Sequence, residues 1–199
     1  MRRVKNLLTL LFCLVSVCAL LGACARSAQV RFYSLAPQAG QAEAPAPATP
    51  CLSLGLGPVE FPAYLDRTQI VTKGQANRMN LAEFDQWIEP VRDNFAAALM
   101  DALGARVCAK PLMSFPWPGS QTPDRQITVT VRQFDGNLGG EAVLRADWSV
   151  IDKDGKVLAW KSTTLREACP GVDYQALVSA QSKLVVRLAE DMAGALGGK

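Results

Sequence analysis

From Gln126 onward the apolar residues fall on every second position, and this alternation constrains the fold more than any other feature of the chain. Ile127, Val129 and Val131 share one side of an extended backbone, and Ala142, Leu144, Ala146, Trp148 and Val150 share one side of the next. A Gly-rich turn, Asp135-Gly136-Asn137 followed by Gly139-Gly140, separates the two runs. Asp154-Gly155 between Lys153 and Lys156 predicts a type I′ hairpin with positive φ at both central positions, and Val157 to Leu165 supplies the third strand. A meander with one apolar face must cover that face with a second layer.

Helical patterns supply the cover. Trp87, Val91, Phe95, Leu99 and Leu103 recur every four residues, which predicts a helix within 85–103. Pro90 has no N–H to donate and belongs in its first turn, so the regular helix is expected to begin between Trp87 and Pro90, and Gly104 is the expected stop. Asp173 is placed to cap a last helix whose stripe includes Leu177, Leu184, Leu188 and Met192. Further short strands are expected at 31–35, 51–60, 68–72 and 106–111, with a return at 77–81. The predicted class is α+β: a two-layer sandwich of a mixed β-sheet with one crossover helix and one C-terminal helix.

The chain opens differently. Arg2, Arg3 and Lys5 precede a 15-residue uncharged run, Leu7 to Leu21, which is short for a bilayer span of ~20 residues but suits a signal sequence. It ends in Leu21-Gly22-Ala23-Cys24, which resembles the bacterial lipobox. The expected boundaries are 1–23 for the signal peptide, 24–30 for a lipidated tether and 31–199 for one domain. On this reading Cys24 carries a diacylglycerol and an N-acyl chain, at about 0.8 kcal/mol per buried CH₂. Ala25 follows it, and the absence of Asp at this position points to the outer membrane. Residues 36–50 hold four Pro, six Ala and one charge, an extended composition that is either an excursion within the domain or a stalk.

Three cysteines remain after Cys13, Cys18 and Cys24 are set aside: Cys51, Cys108 and Cys169. Cys51 and Cys108 each open an apolar strand, and parallel neighbouring strands would bring them together at one end. Pairings with Cys169, or three buried thiols, are the alternatives.

The chain has 21 Lys plus Arg, 18 Asp plus Glu and no His. Removing the three signal cations leaves a balanced mature chain, with no electrostatic footprint for nucleic acid. Without imidazole, Ser-His and Cys-His nucleophile pairs cannot form. Gly55-Leu56-Gly57 runs into Pro58 rather than a helix, and Asp152 with Asp154 reads as turn chemistry rather than a Ca²⁺ loop. Asp66-Arg67 and Glu89-Arg92 read as solvated pairs. No metal site and no cofactor are expected.

Two Pro-broken aromatic segments remain: Phe61 to Arg67, and Phe115-Pro116-Trp117-Pro118-Gly119. Each either packs locally or meets a partner.

The lipobox, Phe32-Tyr33-x-Leu35, Gly57-Pro58-Val59-Glu60-Phe61-Pro62-Ala63-Tyr64-Leu65-Asp66-Arg67 with Gln69-Ile70-Val71, Trp87-x-Glu89-Pro90 and Pro116-Trp117 follow in that order. This arrangement resembles the ABC-type transport auxiliary lipoproteins, the PqiC-like family named for a paraquat-inducible operon. Thr68, Gln86 and the 36–50 segment depart from the family pattern. The resemblance implies a non-catalytic outer-membrane lipoprotein that partners an MCE-domain conduit in lipid transport between membranes and supports envelope integrity. Tyr64, Leu65, Asp66, Arg67 and Trp117 are the expected docking residues, and a homo-oligomeric ring is compatible with that role. A lipid carrier with an internal cavity and a purely structural envelope lipoprotein are the rival readings.

Overall fold

The computed structural model describes residues 2, 3, 5, 6, 11, 29–36, 51–117 and 121–196. Cys24, most of the 36–50 segment, Pro118 and Gly119 therefore lie outside the described residues. The chain divides into two units, Met1–Val30 and Arg31–Lys199. The first is helical at its described positions 2, 3, 5, 6 and 11. No helix among the described residues is long and apolar enough to cross a membrane.

The second unit is α+β, and its described residues form eight strands in two sheets and two helices. The strands are β1 (Arg31–Tyr33), β2 (Leu52–Glu60), β3 (Gln69–Lys73), β4 (Met79–Trp87), β5 (Ala109–Ser114), β6 (Arg125–Gly136), β7 (Glu141–Asp152) and β8 (Val157–Ala168). The helices are α1 (Val91–Gly104) and α2 (Tyr174–Leu196). The mixed sheet expected from the sequence is thus split, with a five-stranded sheet in the order β5-β2-β6-β7-β8 and a three-stranded sheet in the order β1-β4-β3. In the larger sheet β5, β2 and β6 are parallel, and β6, β7 and β8 form the antiparallel meander.

The alternation from Gln126 buries Ile127, Val129, Val131, Leu144, Ala146, Trp148 and Val150 on one face of the five-stranded sheet. Both helices pack with this core. The side chains of α1 that do so are Val91, Phe95, Leu99 and Leu103, and those of α2 include Leu177, Leu184, Leu188 and Met192. Asp173 caps α2 as expected, its Oδ1 accepting the Ala176 N–H at 2.8 Å.

Several local expectations are corrected. Trp87 is buried, but it ends β4 and does not open the helix; its four-residue spacing to Val91 crosses a strand–helix boundary. Pro90, at φ −50° and ψ 133°, is the extended residue just before the first helical turn. The 154–155 hairpin is not type I′. Gly155 has φ +82° and is the turn's positive-φ residue, Gly155 N–H donates to Asp152 C=O at 3.0 Å, and a register shift follows at Val150/Ile151. That is a three-residue loop with a bulge glycine. Finally, the return strand extends to Trp87 and the strand expected at 106–111 begins at Ala109 and runs to Ser114.

Cys51 and Cys108 form a disulfide with Cα atoms 5.0 Å apart, just before β2 and β5, where Leu52 lies beside Ala109. Cys169 is a free, fully buried thiol.

Candidate functional site

The loop between β2 and β3 carries most of the expected docking residues, and its backbone sorts them in opposite directions. Leu65 N–H and Asp66 N–H both donate to Pro62 C=O, at 2.9 and 3.2 Å, closing a turn that folds Leu65 inward. Leu65 is only 3% exposed and belongs to the core. An apolar side chain so placed stabilises the loop's shape and, in this conformation, presents no surface to a partner. Phe61 is also turned inward, with its ring edge-to-face to Phe95 at 5.2 Å and to Phe134 at 6.2 Å.

Tyr64 is partly exposed and donates its hydroxyl to Asp135 Oδ2 at 3.3 Å. Burial, and then the charge and hydrogen bond of Asp135, push its phenol up to about 12. Asp135 is itself buried and takes a second bond at 2.7 Å from Gln133 Nε2. Tyr64 therefore ties the loop to the end of β6.

Asp66 points the other way. Its Oδ2 lies 3.3 Å from Arg92 Nη1 on the first turn of α1, so the ion pair crosses between the two pairs expected from the sequence. Glu89 instead accepts from Asn94 Nδ2 at 2.9 Å. Asp66 Oδ1 and Arg67 Nε are buried atoms without a hydrogen-bond partner among the described residues. Such atoms are uncommon in a folded protein and cluster where something else is bound or strain is kept.

Arg92, whose Nε also lies 3.5 Å from Asp93 Oδ1, lines an open groove together with Pro58, Val59 and Glu60 of β2, Asp93 and Ala96 of α1, and Phe115. Phe115 is 52% exposed, and Trp117 meets its ring edge-on at 5.4 Å. Trp117 also lies on Gly55, where an added Cβ would come within 2.5 Å of the indole, so glycine there permits the approach. The structure thus joins Asp66, through Arg92, to a groove beside the Phe115–Trp117 pair. It does not join Tyr64 or Leu65 to that groove. Phe115 was visible in the sequence as half of an aromatic pair; Arg92 was visible only as a surface charge, because its partner is 26 positions away.

A second polar constellation had no signal in the sequence. Asp85 on β4 is buried and accepts from Arg31 Nε and Nη2, at 2.8 and 2.9 Å, and from Tyr33 Oη at 2.7 Å. Burial acts to raise the Asp85 carboxyl, but the bonds from Arg31 and Tyr33 and the guanidinium charge outweigh it and hold it below its usual value. Burial and then the bond to Asp85 push the Tyr33 phenol up to about 12. Nearby, buried Asn94 accepts the Leu35 N–H at 2.7 Å and donates to Ser34 Oγ at 3.0 Å. These bonds fix residues 31–35 within the domain, so residues 36–50 connect β1 to β2 and are not the tether. Among the described residues no three side chains converge as metal ligands.

The family model for the ABC-type transport auxiliary lipoprotein component matches residues 33–193. The chain belongs to this family. Members are lipoproteins that serve as auxiliary components of transport systems. No curated protein matches the chain. Among solved structures, the protein XCC0632 from Xanthomonas campestris, of family DUF330, is 15% identical with a TM-score of 0.67, over 82% of this chain and 93% of that one. An uncharacterized protein is 18% identical with a TM-score of 0.64, over 85% of this chain and all of that one. At these identities the likeness is one of fold.

Proposed function

We propose that this auxiliary lipoprotein is a non-catalytic docking subunit, held to the periplasmic face of the outer membrane through acylated Cys24 and engaging the end of an MCE-domain conduit. The observation that carries this reading is the groove between β2 and α1. Exposed Phe115, with half-buried Trp117 edge-on to its ring, adjoins a charged lip formed by Glu60, Asp93 and Arg92, with Asp66 paired to Arg92. Aromatic anchors beside a polar rim are the composition of a protein-binding surface. The work assigned to these residues is recognition: Trp117 and Phe115 supply apolar area, and the Asp66–Arg92 pair sets register.

Cross-linking in intact cells, followed by capture from detergent and mass spectrometry of proteins and lipids, tests this function. The expected result is an MCE-domain partner with the wild-type chain and its loss with Trp117→Ala or Arg92→Glu, each with the wild-type far-ultraviolet spectrum. Recovery of stoichiometric lipid without a protein partner would replace docking with the carrier reading.

A further inference from the structure

The three-stranded sheet turns an apolar strip outward beside the point where the chain enters the domain. Phe32 on β1 lies opposite Gln86 on β4, and Ile88 extends the ladder by donating its N–H to Tyr33 C=O at 2.9 Å. Side chains two apart on a strand share a face, so Phe84, Gln86 and Ile88 stand with Phe32, while Arg31, Tyr33, Asp85 and Trp87 turn to the other side. Phe32 is 59% exposed and Ile88 61%, and Phe84 is exposed too. The polar groups on this strip are neutral amides, Gln86 and its cross-strand neighbour Gln69.

Six residues separate Cys24 from Arg31. Fully extended, that length of chain reaches about 25 Å, since each residue spans at most ~3.3–3.6 Å. A bilayer that holds acylated Cys24 is therefore never farther than this from Arg31, and Phe32 is the next residue. The Arg31–Asp85 and Tyr33–Asp85 bonds keep β1 fixed, so the strip is presented at the end of a short leash in one orientation.

We infer that Phe32, Phe84 and Ile88 seat the domain on the membrane that anchors it, with their side chains at the boundary between headgroups and acyl chains. This inference rests on the lipid-anchored reading above. Apolar side chains on an uncharged face gain free energy on entering that boundary, and the covalent anchor makes the step intramolecular. The strip would then orient the β2–α1 groove as well as hold the domain, because one rigid sheet face would set its tilt.

The test uses the full-length acylated protein in phosphatidylethanolamine–phosphatidylglycerol vesicles. A single added thiol, Phe32→Cys or Ile88→Cys, is labelled with an environment-sensitive fluorophore; Cys51 and Cys108 are bonded to each other and Cys169 is buried. Asp154→Cys on the far hairpin is the reference. Intact mass first reports whether Cys24 is acylated. The expected result is several-fold stronger quenching by acyl-chain spin-labelled lipid at positions 32 and 88 than at 154. Equal quenching at all three positions on an acylated protein overturns this inference and leaves the anchor standing. A blue-shifted but unquenched label at 32 also overturns it, by showing protein on the strip, either a second copy or a partner. A chain without acyl mass removes the anchor and this inference with it.

Discussion

In the five-stranded sheet, β6, β7 and β8 run twelve residues each, and β6 and β7 bury rows of apolar side chains in the core they share with the helices. The three-stranded sheet has one three-residue strand, β1, and its joint to β4 depends on a buried carboxylate that takes three hydrogen bonds. The larger sheet is held by area, and so are β3 and β4 through Ile70, Val71 and Trp87, whereas β1 is held by a few directed bonds. Hydrophobic burial is spread over many residues and tolerates single losses in proportion to area. A buried carboxylate fails when its donors are removed, because it remains desolvated without partners.

Phe95 joins the larger sheet to the β2–β3 loop, which leads into the smaller one. Its ring is fully buried and meets Phe61 of the β2–β3 loop and Phe134 of β6, each at 5.2 Å. Phe95→Ala is expected to cost ~3–5 kcal/mol and to destabilise both regions in one transition. Denaturant unfolding followed by both fluorescence and far-ultraviolet signal checks this, and two separate transitions would show that the regions are independent. The next effect belongs to the larger sheet. The Cys51–Cys108 bond closes a separation of 57 residues, and replacing both by Ala is expected to cost ~2–4 kcal/mol. Hydrogen exchange should then rise along β2 and β5 and stay unchanged along β1.

Asp85 sharpens the contrast from the other side. Asp85→Ala is expected to cost ~1.5–3 kcal/mol, the range for hydrogen bonds to a charged group, with exchange rising in β1 and not in β7. The carboxyl is held below its unfolded value, so its contribution is complete above the ordinary carboxylate range and is lost as pH falls through the folded value. Stability of the wild type should therefore fall as acid is added below about pH 4, and Asp85→Asn should flatten that slope. A mutant with an unchanged slope would mean that Asp85 does not couple protonation to folding.

The contrast also explains what the sequence made legible. The meander and the face of each of its strands could be read because a period of two leaves a signature that requires no knowledge of the partner. The turn at Gly155 was located but its type was not, since Asp-Gly serves both a two-residue loop and the bulged three-residue loop found here. The β1–β4 joint was illegible: it is parallel and spans 54 positions, and Asp85 looked like the polar side of a helix. Trp87 misled for the same reason, its spacing to Val91 fitting a helix that begins only after Pro90. At the site, the sequence found the loop but not the direction of its side chains. The Pro62 turn decides that Leu65 goes in and Asp66 out, and turn geometry is settled by contacts with Phe95, Asp135 and Arg92.

The smallest expected effect lies on the outer face of the larger sheet. Arg132 Nε donates to Asp147 Oδ2 at 3.0 Å between β6 and β7, with the guanidinium side 63% exposed. Hydrogen bonds from Ser162 and Arg132 hold the Asp147 carboxyl below its usual value, so the pair is formed in the folded state. Yet both charges are solvated in the unfolded chain, and an exposed pair returns only ~0–1 kcal/mol. Arg132→Ala should therefore shift the denaturation midpoint far less than Asp85→Ala, although both remove a carboxylate–guanidinium contact of similar length. The difference between the two mutants follows burial and the number of bonds lost: Asp85→Ala removes a buried carboxylate that takes three hydrogen bonds, and Arg132→Ala removes an exposed guanidinium that makes one. If the two costs were equal, the smaller sheet would not owe its order to a desolvated cluster, and the fixed presentation of Phe32 would need another cause.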